Sequence, residues 1–149
     1  MGPATGSAVF NEKNFYAAIM KDLEKCGSEL IIECPFITYR RLSQLLPVLN
    51  KLKARKVRIV INTRDPQAHD DERRRLDAHD ALSKLQHMGI HVLFTGNHHR
   101  KLVIIDRRIL YEGSLNVLSQ SDSVEVMRRI ESAKLAWEIV RFTCVDKYF

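Results

Sequence analysis

Short apolar runs alternate with amphipathic stripes along the whole chain, and that alternation leaves few folds open. Leu30-Ile31-Ile32-Glu33-Cys34, closed by Pro35, reads as a short buried strand. Residues 57–62 read as a central strand, and 90–94, 101–105, 109–112 and 124–130 as further strands, with Asp106-Arg107-Arg108 as a turn. Helical stripes lie between them. Asn11 can cap a first helix carrying Phe15, Ala18, Ile19 and Leu23 and ending near Gly27. Leu42, Leu45, Leu46, Leu49 and Leu52 mark a second, which Pro47 should kink or divide. A third spans 71–88 with Leu76, Leu82 and Leu85 inward and Gly89 at its C-terminal end. The last runs over 132–142, with Leu135, Ile139 and Phe142 on one face and Trp137 on another. Alternating βα units predict an α/β fold, an α/β/α sandwich with a mixed central sheet.

No Pro/Gly/Ser-rich linker interrupts the pattern, so residues 1–9 are expected as a flexible leader and 10–149 as one domain. A chain of 149 residues can bury a sizeable core without covalent staples. No apolar run approaches the roughly 20 residues that span a bilayer. The start lacks the basic and apolar regions of a signal peptide, and three scattered cysteines without a Cys-x-x-Cys pair favour a reducing, cytoplasmic setting. A net charge of +6 and a pI near 9.4 favour polyanionic partners. Basic residues cluster at Arg40-Arg41, 51–58, Arg73-Arg74-Arg75, Arg100-Lys101, Arg107-Arg108 and Arg128-Arg129. They suit a nucleic-acid backbone, and would suit an anionic membrane as well.

The chemistry concentrates in His99, Lys101, Asp106, Gly113, Ser114 and Asn116, spaced H-x-K-x4-D-x6-G-S-x-N and found once. His99 and Lys101 stand two apart at the head of a strand, so both leave one face. A neutral imidazole can attack phosphorus and form a phosphohistidine, dividing one hard displacement into two easier ones. Lys101 would neutralise charge on the non-bridging oxygens, and Ser114 and Asn116 could donate to the same oxygens. The departing oxygen then needs a separate acid. A second His99 across a dimer two-fold would supply it, and a bell-shaped pH profile would belong to the pair. No metal or other cofactor enters this scheme. Adjacent His98 and His99 would point to opposite faces of a strand, and His98 is expected to make at most a phosphate or surface contact.

His99-Arg100-Lys101, Asp106 and Gly113-Ser114-Leu115-Asn116 resemble the phospholipase D superfamily, most of all its small, single-motif bacterial endonuclease branch. The resemblance implies a nuclease-type sandwich that dimerises to unite two motifs in one site. It implies His99 as nucleophile on one subunit and acid on the other, with Lys101 and Asn116 as phosphate ligands. Family members also carry an acidic residue, often in Asn-x-Glu, that orients the histidine. Here Ser123-Val124-Glu125 stands in that place, so Glu125 matches and Ser123 departs. Candidate catalytic residues are therefore His99, Lys101, Asp106 and Glu125, and candidate phosphate ligands Lys101, Ser114 and Asn116. Within that set Asp106 lies a full strand length from His99, at about 3.3 Å per residue, which suits a structural or charge-network role better than an acid's.

The function expected is a metal-independent phosphodiesterase cutting nucleic acid, DNA in preference to RNA, with little sequence preference, as a homodimer. No helix-turn-helix, zinc finger or RNP signature is visible to read bases. Other domains or subunits of a larger nuclease system are candidate partners. A phospholipid phosphodiesterase is the alternative, although such enzymes usually carry two motifs and no Trp-rich membrane-facing segment is evident. A non-catalytic phosphate-binding module is the third reading, disfavoured because both His99 and Lys101 are present.

Overall fold

The computed structural model describes residues 6–119 and 123–145. Its first half runs β1 (Ser7–Asn11), α1 (Phe15–Glu24), β2 (Glu29–Glu33), α2 (Tyr39–Ala54) and β3 (Arg58–Thr63). A 3-10 turn over Pro66–Ala68 leads into α3 (Glu72–His87), β4 (His91–Phe94), β5 (Leu102–Ile105), β6 (Ile109–Gly113), β7 (Val126–Glu131) and α4 (Ala133–Thr143). The strands form one seven-stranded sheet in the order β1-β7-β6-β5-β2-β3-β4. β2, β3 and β4 are parallel neighbours, and every other pairing is antiparallel.

Alternate residues of β2 feed two cores. Leu30 and Ile32 join Phe15, Ile19, Leu45, Leu49, Leu82 and Leu85 from α1, α2 and α3, whereas Ile31 joins Ile104, Leu110, Ala136 and Val140 on the α4 side. Three helices thus cover one face and α4 the other, which is the expected α/β/α arrangement with a mixed sheet. β2 is buried along its whole length, including two carboxylates, Glu29 and Glu33. Buried carboxylates need partners, and these two are met by arginines at opposite ends of β5. Arg107 grips Glu29 with Nε at 2.6 Å and a second nitrogen at 3.0 Å. Arg100 grips Glu33 with Nε at 2.7 Å and a second nitrogen at 3.1 Å. The two forks fix β5 against β2 in the register Leu30↔Ile105 and Glu33↔Leu102.

Several expectations are corrected. Ser7–Asn11 is an edge strand on β7, so residues 7–9, expected within a flexible leader, belong to the sheet; backbone pairing, not a core-facing stripe, makes this a strand. Asn11 precedes the helix as an Asx turn, accepting from the N–H groups of Lys13 and Asn14, and Asn14 takes the cap position. α2 is not divided at Pro47. Pro47 is exposed there, so water can satisfy the carbonyl it leaves unbonded. Leu76 is 59% exposed, since α3 turns Ala78, Ala81, Leu82 and Leu85 inward. Phe142 is 82% exposed, because Ala136 and Val140 form the face of α4 that meets the sheet.

Candidate active site

The segment that carries His99 and Lys101 enters β5 from a loop nailed down by its neighbours. Asn97 adopts φ 52°, and the next residue, His98, turns inward until 1% of its side chain is exposed. Nε2 of His98 lies 3.0 Å from the Asn62 carbonyl, and Nδ1 accepts the Arg100 N–H at 3.3 Å. Both contacts suit one neutral tautomer, with the proton on Nε2. Burial pushes the His98 pKa down, reinforced by the charges of Arg100 and Arg64 against the opposing pull of the Asn62 bond and Glu33. Asn62 donates to Glu33 Oε2 at 2.5 Å and accepts from Thr95 Oγ1 at 2.8 Å. Glu33, Asn62, Thr95, His98 and Arg100 are thus one network, and side chains before and between the motif residues anchor them to β2 and β3.

With His98 buried and the Arg100 guanidinium held by Glu33, His99 is exposed and Lys101 half-buried. Lys101 Nζ donates to the His99 carbonyl at 3.3 Å. His99, Lys101 and Gly113 line an open cavity of about 590 Å³ with Glu112, Val126 and Arg128. Just past the end of β2, burial pushes the Cys34 thiol up to about 11, while backbone bonds of Leu118, Phe36 and Val117 and the Lys101 charge pull the other way. Cys34 Sγ in turn lies 3.5 Å from Asn116 Oδ1. Gly113 is obligatory: a Cβ there would collide with the Val126 carbonyl and stand 2.9 Å from the Met127 Cα. That close approach lets Ser114 N donate to Val126 O at 3.0 Å, while Ser114 Oγ exchanges bonds with Val126 N at 3.1 Å and O at 3.3 Å. The single Ser114 hydroxyl proton is thus engaged in closing β6 on β7.

Two candidates stand apart from this cavity. Asp106 lies at the far end of β5, in the three-residue hairpin connection 106–108, where it and Arg107 take φ 54° and 49°. Its carboxylate accepts from the N–H groups of Gly27, Ser28 and Glu29 at 3.0, 2.8 and 3.0 Å, and from Ser28 Oγ at 2.8 Å. Burial opposes ionisation there, but these donors outweigh it and hold the carboxyl at about 2. Glu125, whose N–H donates to Glu12 Oε1 at 2.9 Å, lines a second cavity of about 260 Å³ shared with Asn116. Sequence reasoning did not single out Glu33 and Asn62, and expected of His98 at most a phosphate or surface contact, whereas it is buried with both ring nitrogens engaged. The available signal was a glutamate inside a fully buried strand, which demands a buried partner. Among the described residues, no group of three or more His, Cys, Asp or Glu is placed to hold a metal ion.

A sheet with this strand order, and a His-x-Lys pair at the edge where β2 ends and β5 begins, define a phospholipase D-like domain. The family model described as "Cardiolipin synthase, PLD-like domain" matches residues 19–142, and the chain belongs to that family. No curated protein matches it in sequence. Among solved structures it is similar to Nuc from Salmonella typhimurium, a phospholipase D family member. The TM-score is 0.73 at 16% identity, covering 91% of this chain and 90% of that one. NucT from Helicobacter pylori gives 0.71 at 14% identity over 91% of each chain. Phosphatidylserine synthase from Haemophilus influenzae gives 0.62 at 14% identity over 87% of this chain and 35% of that one. At such identities the likeness is one of fold. Phosphodiesterase chemistry of the phospholipase D type follows at the level of the superfamily.

Proposed function

We propose that this protein is a metal-independent phosphodiesterase that cleaves nucleic acid through a covalent phosphohistidine, in an active site shared between two copies. The observation that carries this reading is the division of labour around His99. His98 is buried and Arg100, itself on the cavity rim, is held by Glu33, leaving His99 exposed over a cavity with Lys101 at its side. His99 attacks phosphorus, a P–N bond forms, and the P–O bond to the leaving group breaks. The leaving oxygen takes a proton from the His99 imidazolium of a second copy. Water then attacks the phosphohistidine, giving up its proton to the second copy's imidazole as the P–N bond breaks. Lys101 neutralises the non-bridging oxygens. Asn116, whose Oδ1 lies 3.5 Å from the Cys34 sulfur, offers its amide donors to the same oxygens. Ser114 would have to leave Val126 to donate there, so it acts first as the closure of β6 on β7. Glu125 is proposed to orient the imidazole once the dimer forms, and Asp106 to act only through the fold.

Nucleic acid is the preferred substrate because the net charge of +6 is spread along the chain, and because two similar structures are Nuc and NucT. DNA is placed before RNA. The reading is tested by incubating the protein with plasmid, single-stranded DNA and RNA in excess EDTA. Cleavage that persists in EDTA and falls about a thousandfold or more in His99→Ala is expected. Complete dependence on a divalent cation would overturn the mechanism. One observation favours a lipid phosphodiester instead: the matching family model bears the name of cardiolipin synthase. Release of headgroups from phospholipid vesicles without any nuclease activity would establish that second reading.

A further inference from the structure

Phosphate chemistry accounts for Asn116 and Glu125 in the second cavity, but not for its aromatic wall. The cavity opens beside Asn116 and Glu125, and its wall is formed by Phe36 and His69, whose rings stack at 5.3 Å between centroids and 24° between planes. Two cations attend the pair, with the guanidinium carbons of Arg64 and Arg74 at 5.5 and 5.6 Å from the Phe36 centroid. The loop presenting His69 is held in place: Arg75 donates to the carbonyls of His69 and Asp70 at 2.7 and 3.0 Å. Phe36 is fixed in turn, since it follows Pro35 and its carbonyl accepts from Cys34 Sγ at 3.1 Å. Burial first, then Arg64, Arg74 and Arg75, push the His69 pKa down, so the imidazole, itself buried, backs the Phe36 ring in its neutral form.

A rigid aromatic pair, flanking guanidinium groups and neighbouring hydroxyl and amide donors is the chemistry that receives a nucleobase. At about 260 Å³ the cavity falls just below the volumes that enclose drug-sized ligands, so it suits a single base and not a longer moiety. Its position fits the same conclusion. Asn116 lies on the cavity wall and belongs by its spacing to the phosphate-binding motif, so a base seated here belongs to a nucleotide next to the reacting phosphate.

We propose that the Phe36–His69 cavity is a nucleobase pocket adjoining the phosphate site, which takes one unstacked base of the substrate strand. The proposal rests on the nucleic-acid reading above and deepens it. A base held this way has left any duplex, so the pocket rewards single strands and locally melted ends over intact double helix. Base identity matters little, because each base presents a π-face.

The test measures binding, so it does not depend on turnover. His99→Ala protein, which does not cleave, is titrated by fluorescence anisotropy with a labelled eight-nucleotide oligothymidylate. The abasic backbone of the same length and a blunt duplex of equal charge are titrated in parallel. The oligothymidylate is expected to bind about tenfold more tightly than the abasic strand, and Phe36→Ala in the same background should remove most of that difference. Affinity for the abasic strand should stay unchanged, which also shows that the variant is folded. Phe36→Leu keeps the bulk and loses the aromatic face, and should behave like Phe36→Ala. Equal affinity for the normal and abasic strands, or equal loss of both in Phe36→Ala, would overturn the pocket while leaving the nuclease reading intact. Failure to bind any of the three would overturn both.

Discussion

Asp106 belongs to the motif by sequence and to the scaffold by geometry. Its carboxylate collects three N–H groups from the loop between α1 and β2, and ties them to the β5–β6 hairpin. Its folded pKa, about 2, lies below the ordinary carboxyl value of about 3.9. The unfolded chain therefore takes up the proton first as pH falls. Asp106 contributes stability in full above pH about 4, and that contribution disappears as pH drops towards 2. Asp106→Asn should cost about 2 kcal/mol at neutral pH and flatten acid unfolding in this window. Its turnover per folded molecule should match wild type. A specific loss of kcat in a fully folded Asp106→Asn protein would put the carboxylate back in the chemistry. Arg100 makes the opposite case. Arg100→Ala leaves Glu33 buried without its fork and frees the His99 backbone, so a loss of about 3 kcal/mol is expected. A tenfold to hundredfold fall in kcat should accompany it, with KM little changed. Arg100→Lys, a point charge without the fork, should recover only part of either. An unaltered kcat in Arg100→Ala would show that the network does not position His99.

Elements of this fold differ in how plainly the sequence announces them. β2, β3, β5 and β6 are short apolar runs bounded by turn residues, and the chain spells them out. β1 carries no such signature, because an edge strand made by backbone pairing on β7 needs no core-facing stripe. Helical stripes at Leu76 and Phe142 had the right period, yet period alone does not say which side of a helix the sheet will meet. The motif residues were legible because their spacing is fixed along one hairpin. Their supports were not, since Glu33, Asn62, Thr95 and His98 meet only after three parallel strands align. Ser114 shows the same limit: its hydroxyl is consumed by β7, twelve residues away. β6 and β7 approach so closely at Gly113 that Gly113→Ala should separate them. Thermal unfolding of this variant should show a loss of about 2 kcal/mol or more, and activity should fall with it because Asn116 follows three residues later. A stable, active Gly113→Ala protein would mean that the strands part without consequence.

Across the whole molecule, one motif supplies one imidazole, while the proposed displacement uses two. Copies of the chain therefore have to meet around the phosphate, and the dependence can be measured by mixing. An equal amount of His99→Ala protein, allowed to exchange subunits with wild type, should lower total activity to about half, because mixed pairs lack one imidazole. Unchanged activity would mean that each chain cuts alone. The covalent intermediate tests the account most directly. Wild-type protein quenched in alkali during turnover of a labelled phosphodiester should carry label on the peptide containing His99, stable to base and released by acid. His99→Ala should carry none. Label that survives in His99→Ala, or turnover without any trapped adduct under conditions where its formation is faster than its hydrolysis, would contradict a nucleophilic His99.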